Sequence, residues 1–377
     1  MAILGQQAIR VADFFSGCGG TSAGLRSAGM EVVFGLDFEP YSAATFRRNF
    51  PEAKFIERDI RLVAPEEVAK LVEGTGPLLV AACAPCQPYS SFVRRRRAAV
   101  SDRTLLLRLV PFLELMRPQF VLIENVPGLD TKAPAGTFAR FCKALRRLGF
   151  AIDWRIVDCQ EYGVPQRRRR LVLLGSRLGQ PGFPEPTHGR GQGRIPASVV
   201  RDWIQDLPAL AAGETHADIP NHTASSLTDL NLRRLQASQP GGDRFAWPRD
   251  LWLACHAEHQ GHSDVYGRMA WDAPSPALTT KCTSISNGRF GHPDQDRPIS
   301  VREAASLQTF PRDFTFVGGI KNATRQVGNA VPVLLAQRMG EHIVKHMNDH
   351  ADVVGGTNEQ LSIAHAGGRS VSLKVAD

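Results

Sequence analysis

A chain of 377 residues, 43% hydrophobic and 22% charged, is long enough to bury one large core and a second, smaller one. Its longest apolar run, Leu78 to Ala84, falls far short of the ~20 residues a membrane helix needs, and no charged segment, apolar stretch and cleavage site open the chain, so membrane insertion and export are not expected. Seven thinly spread cysteines argue against a disulfide framework and for a reducing, cytoplasmic setting, while the net charge of +8, carried by 37 Arg and only eight Lys, points to a polyanionic partner.

From the start to about residue 175 the pattern alternates short apolar strand, turn and amphipathic helix. Ile9 to Phe15, Glu31 to Leu36, Lys54 to Ile56, Leu78 to Ala84, Phe120 to Ile123, Ile152 to Val157 and Leu171 to Leu174 read as strands. Pro40 to Asn49, with proline in its first turn, and Leu105 to Met116 read as helices. This alternation predicts an α/β fold with a doubly wound, mostly parallel sheet that binds ligands at the carboxyl ends of its strands. Between 176 and 295 the periodicity fades into Gly, Pro, His and Asp, as expected of a second, irregular domain. The charge shifts with it: residues 176 to 300 hold twelve Arg or Lys against thirteen Asp or Glu, so the basic excess lies elsewhere, much of it in the quartets Arg94 to Arg97 and Arg167 to Arg170. Regular structure is expected again over 296 to 348, with helices at Ser300 to Leu307 and Ala330 to Met347, and a mobile tail over 349 to 377.

The turn Asp13-Phe14-Phe15-Ser16-Gly17-Cys18-Gly19-Gly20 follows the first strand and opens a helix, so its glycines let a ligand approach the backbone at a helix N-terminus. Asp37 closes the second strand, where a carboxylate can take a ribose's two hydroxyls; Phe38 can stack on a purine, and Asp59-Ile60 can meet the adenine edge. Together they describe an adenosine pocket, although each Asp alone could be a helix cap or turn residue. The fourth strand runs into Pro85-Cys86-Gln87-Pro88, which sets Cys86 beyond the edge of the sheet, where a nucleophile belongs. Cys83, three residues earlier, raises a redox or zinc reading, as does the cluster Cys255, His256, His259 and His262; neither is preferred, and no metal is expected. Glu124 ends the fifth strand and is placed to serve as a proton donor. Alternation in the seventh strand sends Arg168 and Arg170 to one face and Arg167 and Arg169 to the other.

In this order the features resemble the DNA cytosine-5 methyltransferases, in particular the bacterial restriction-modification type. The resemblance covers about residues 9 to 345 through Asp13 to Gly20, Asp37-Phe38, Pro85-Cys86-Gln87, Glu124-Asn125-Val126, Gln166 to Arg170 and Gln326-Val327-Gly328-Asn329-Ala330-Val331-Pro332, with Arg302 to Pro311 similar to the helix before the last block. It implies a Rossmann-like S-adenosylmethionine-dependent methyltransferase: a catalytic domain over 1 to 175 and a target-recognition domain over 176 to 295. It also implies that Cys86 adds to carbon 6 of a flipped-out cytosine, that Glu124 holds or protonates nitrogen 3 and that Arg168 binds the base's carbonyl oxygen. Phe15 and Phe38 would meet the adenine, Asp37 the ribose, and Asp59-Ile60 the adenine edge, while Gly17, Gly19, Gly20, Asn329 and Val331 would hold the methionine part. Arg94, Arg95, Arg96 and Arg97 would contact phosphates of double-stranded DNA, and Arg268, Asn287 and Arg289 would read the major groove. A monomer with a cognate endonuclease encoded nearby is the expected setting; a tRNA methyltransferase and an inactive DNA-binding relative are the rival readings. Cys83 before the nucleophile departs from the family's usual pattern.

Overall fold

A computed structural model describes residues 7–84, 104–129, 136–242, 244–253 and 264–350. All seven expected strands form, as β1 (Arg10–Phe14), β2 (Glu31–Asp37), β3 (Lys54–Glu57), β4 (Leu78–Ala82), β5 (Phe120–Asn125), β6 (Ala151–Asp158) and β7 (Arg169–Ser176). They make one sheet in the order β3-β2-β1-β4-β5-β7-β6. β1 to β5 pair in parallel, and β7 runs antiparallel to both β5 and β6. The chain turns back between β1 and β4, and the crevice at that switch point lies beyond the carboxyl ends of both strands.

Strand side chains point alternately to the two faces of a sheet, and here each face has its own core. Val11, Leu79, Phe120, Leu122, Val172 and Leu174 face one; Ala12, Val80, Val121, Ile123, Leu171 and Leu173 face the other. The second core is closed by α3 (Pro65–Leu71), α4 (Val110–Met116) and α5 (Thr137–Arg147). The first is closed by α1 (Gly20–Ser27) and by helices from the far end of the chain. α2 (Pro40–Asn49) has the expected limits and starts on Glu39, whose carboxylate accepts from Ser42 N at 2.7 Å. The helix expected over 105 to 116 divides into a 3₁₀ turn, Leu105–Leu109, and α4, because Pro111 has no N–H for an i→i−4 bond and crowds the preceding turn.

Beyond β7 regular structure thins to α6 (Arg201–Ile204), α7 (Asp229–Gln236) and short 3₁₀ turns. Leu235, Trp247, Leu251, Tyr266 and Ile285 gather in a small core of their own. Phe183, Val200, Met269, Leu278 and Phe290 belong instead to the large first core. α8 (Val301–Leu307) opens on a Ser300/Glu303 capping box. α9 (Ile320–Asn329) is a helix that was not among those expected, and α10 (Val333–Asp349) follows it. No helix among the described residues is long and apolar enough to cross a membrane.

Candidate active site

β1 ends in a tight turn in which Phe15 and Gly17 both adopt φ 54°. The second value is one that glycine takes without strain. The turn is tied to the second strand: Ser16 N donates to Leu36 O at 3.0 Å, and Gly17 N donates to Asp37 Oδ2 at 2.9 Å. Asp37 Oδ1 accepts from Glu39 N at 2.9 Å, which leaves each oxygen a further lone pair for a ligand hydroxyl. Burial raises the Asp37 carboxyl above its ordinary range despite these bonds. Beside it Phe38 is 60% exposed at the strand end, a large apolar ring with one face free to stack.

Behind the turn, fully buried Asp13 accepts from Ser22 Oγ at 2.7 Å on Oδ2, while Oδ1 has no partner within the protein. Desolvation, with Asp37 nearby, pushes its carboxyl up to about 7. A side chain at Gly20 would put its Cβ 2.6 Å from the Val331 carbonyl oxygen, so glycine there lets the turn meet the backbone that links α9 to α10. Asn329 is the exposed last residue of α9, and Val331 is buried. Asp59 and Ile60 sit after β3; Ile60 is buried, and Asp59 is held below its ordinary carboxylate range by its hydrogen bonds from Arg61.

β4 and β5 lie side by side, and the groups at their ends converge. Glu124, 6% exposed, is ion-paired through Oε1 with Arg170, whose Nε lies 2.7 Å away, and accepts on Oε2 from the Cys83 thiol at 2.8 Å. Asn125 Nδ2 donates to Ala84 O at 3.0 Å, which anchors the chain as it leaves β4. Cys86 itself, with Arg94, Arg95, Arg96 and Arg97, lies outside the described residues, as do the Cys255/His256/His259/His262 cluster and the tail beyond His350.

The alternation in 167 to 170 is as expected: Arg168 and Arg170 point inward, Arg167 and Arg169 outward. Their roles differ from the expectation. Arg168 Nη1 donates to Leu278 O at 2.8 Å and to Gln166 Oε1 at 3.2 Å, and its Nη2 to Gly328 O and Ala330 O, both at 3.3 Å. Arg168 is therefore corrected from base contact to a tie from the residue before β7 to Leu278 of the irregular region and to the end of α9, and it is Arg170 that meets Glu124. The reason is register. Glu124 pairs with Val172 across the antiparallel ladder, so Arg170, two residues on along the same face, lies on the diagonal, within reach of a long side chain. Only the direction of β7, invisible in the sequence, could have shown this.

One of the three expected groove-reading residues, Arg268, is instead built into the fold. Arg268 is 5% exposed and donates to the carbonyls of Leu235, Ser238, His292 and Gln295 and to the Asp296 carboxylate. Arg289 pairs with Asp264 and donates to Gly241 O. The Arg268 guanidinium completes the local backbone, whereas that of Arg289 is partly exposed beside a surface carboxylate. Asn287 stands in an open cleft between the irregular region and the start of α9, together with Lys281 and Lys321. Both lysines escaped the sequence reading, since only tertiary packing brings them to one opening. No cluster of metal-binding side chains occurs among the described residues.

The family described as C-5 cytosine-specific DNA methylase matches residues 9–345. Among relatives, the type II methylase M.HgiDII of Herpetosiphon aurantiacus is 38% identical over 343 residues, 89% of this chain and 95% of that protein. The type II methyltransferase M1.HphI of Haemophilus parahaemolyticus is 32% identical over 88% of this chain and 86% of its own length. Among solved structures, a putative DNA modification methyltransferase encoded within an E. coli prophage superposes with TM-score 0.72 at 20% identity, covering 90% of this chain and all of that one. A DNMT2 of Spodoptera frugiperda gives 0.58 at 16% identity over 89% of this chain and all of its own. These two show a shared fold, the Rossmann-like sheet expected from the strand pattern.

Proposed function

The chain belongs to the C-5 cytosine-specific DNA methylases, and from that membership we propose that it methylates carbon 5 of a cytosine flipped out of a specific duplex sequence, through a covalent adduct on Cys86, as the modification enzyme of a restriction-modification system. The observation that carries this reading is the Glu124–Arg170 pair at the carboxyl end of β5. The adjacent strand leads directly into Pro85-Cys86-Gln87.

Cytosine carbon 5 is too electron-poor to attack a methyl donor unaided. The Cys86 thiolate donates an electron pair to carbon 6, and the charge that this drives to nitrogen 3 is met by a proton held at Glu124. Arg170, fixed against Glu124 Oε1, is the guanidinium available to the base's carbonyl oxygen. After methyl transfer, loss of the carbon 5 proton restores the ring double bond and expels Cys86 as thiolate. The reacting carbon is buried in a duplex, so the base must leave the stack first.

S-adenosylmethionine supplies the electrophilic methyl group. The residues here fit it: Asp37 has lone pairs left for the ribose hydroxyls, exposed Phe38 offers a face to the adenine, and Phe15 after β1 and Asp59-Ile60 after β3 would complete the adenine side. Gly17, Gly19 and Gly20 with Asn329 and Val331 would hold the methionine part, close to the unpartnered Asp13 Oδ1. Double-stranded DNA would approach over the crevice, with Arg94 to Arg97 on phosphates and Lys281, Asn287 and Lys321 lining an adjoining cleft.

The test is to incubate the protein with S-adenosylmethionine and unmethylated genomic DNA and to map 5-methylcytosine by bisulfite sequencing, with tRNA as the alternative substrate. A short motif fully modified in DNA is expected, with no product from Cys86→Ala although that variant still binds duplex. Methylation by Cys86→Ala would overturn the nucleophile, and label on tRNA alone would overturn the substrate.

A further inference from the structure

We propose that Cys83 is a positioning residue for this reaction: its thiol holds the Glu124 carboxylate in the orientation that serves the base. The inference rests on the role of Glu124 given above.

Cys83 directly follows β4, and its backbone N–H donates to Phe14 O of β1 at 3.3 Å. The parallel register that sets Ala82 beside Ile123 carries Cys83 alongside Glu124. Its sulfur lies 2.8 Å from Glu124 Oε2, while Arg170 Nε lies 2.7 Å from Oε1. One partner thus comes from each neighbouring strand, an ion pair to one oxygen and a hydrogen bond to the other.

A glutamate's terminal torsion is broad and nearly two-fold, so a carboxylate at a strand end has no preferred plane unless its partners impose one. Arg170 alone would not impose the useful one. A guanidinium pairs best with a carboxylate in a two-pronged arrangement that engages both oxygens, and Glu124 would then turn its accepting edge toward Arg170 and away from an incoming ring. The thiol, attached to a backbone that β1 fixes, keeps Oε2 out of that arrangement. Its role is that of a donor, because a carboxylate is too weak a base to take a thiol's proton; Cys83 is thereby distinguished from a second nucleophile. An oxygen bonded to one S–H keeps another lone pair, which can carry the proton that meets nitrogen 3.

Single-turnover methylation by full-length Cys83→Ala, Cys83→Ser, Glu124→Gln and the Cys83→Ala/Glu124→Gln double variant tests this. Loss of a hydrogen bond to a charged group predicts that Cys83→Ala lowers the methyl-transfer rate about tenfold or more, with KM for DNA and for S-adenosylmethionine within about twofold of wild type. Serine, which keeps a donor, should recover most of the rate. Because Cys83 acts through Glu124, the two losses should not add: Cys83→Ala should cost nothing further in the Glu124→Gln background. Wild-type turnover by Cys83→Ala, failure of serine to recover it, or fully additive losses would overturn the proposal. A normal rate for Glu124→Gln would instead remove Glu124 from the mechanism, and Cys83's role with it.

Discussion

The sheet and the irregular region beyond it solve one problem, the satisfaction of buried backbone groups, by different means. In the sheet, ladders pair the N–H and C=O groups of seven strands, and what remains to be buried is apolar apart from a few groups such as Asp13, Glu124 and Asn125. Between Arg177 and Ser300 there are no such ladders among the described residues, only isolated bridges, and carbonyls left without strand or helix partners must find others. Buried guanidiniums supply them. Arg234 donates to Leu251 O, Arg268 to four carbonyls, and Arg297 to those of Leu210 and Pro298 while pairing with buried Glu303 through two 2.7 Å bonds. Arg302, just after this region, donates to the carbonyls of Pro220, Pro311 and Phe314. In a chain that binds a polyanion, then, an arginine in an irregular segment is as readily a backbone brace as a phosphate contact, and burial separates the two.

The largest effect expected from this difference follows Arg297→Ala. Removing one partner of a fully buried pair strands the Glu303 carboxylate and should cost about 3–5 kcal/mol in urea denaturation; a loss below about 1 kcal/mol would mean that the region does not depend on its arginine braces. Arg268→Ala sharpens the same point. With Asp296 partly exposed, the expected loss is about 1–3 kcal/mol, and the salt dependence of DNA binding should not change. A reduced salt slope with unchanged stability would return Arg268 to the DNA interface.

A smaller, pH-dependent effect separates the two regions by sign. His292, facing Glu303, Arg297, Asp294 and Arg268, is pushed down to about 4, with burial the largest cause. Its Nδ1 accepts from Asp294 N and Gln295 N. The unfolded chain therefore binds the extra proton first, and the stability His292 contributes is lost as pH falls from 6.5 toward 4. Asp13, facing Ser22 and Asp37, is raised to about 7. There the folded chain holds the extra proton, so its contribution is lost as pH rises from 3.8 toward 7. Unfolding free energies at pH 7 and 4.5 should show His292→Asn losing less stability on acidification than wild type and Asp13→Asn losing more. The same direction of change in both would break the contrast.

Much of the catalytic half was legible because its physics is local. A period of two places a strand's side chains on alternate faces, a proline in the first turn and a capping carboxylate delimit α2, and a Gly-rich turn after β1 announces a ligand. The seven strands and the place of Glu124 at the end of β5 followed from those cues and from the order of motifs that resembles a known family. The irregular region offered no period, and its arginines looked alike on paper. α9 was missed because Ile320 to Asn329 has a polar sequence, and its apolar stripe acquires meaning only against the first core.

The sequence by itself determined which residues lie at strand ends and which chemistry they carry, because alternation, turn preference and side-chain functionality are properties of short segments. Tertiary structure alone decided which of two inward arginines meets Glu124, that Cys83 meets its other oxygen, and that Arg268 serves the backbone and not the groove. Those outcomes depend on the antiparallel direction of β7 and on carbonyls contributed from distant segments, and neither is written in any local stretch of the chain.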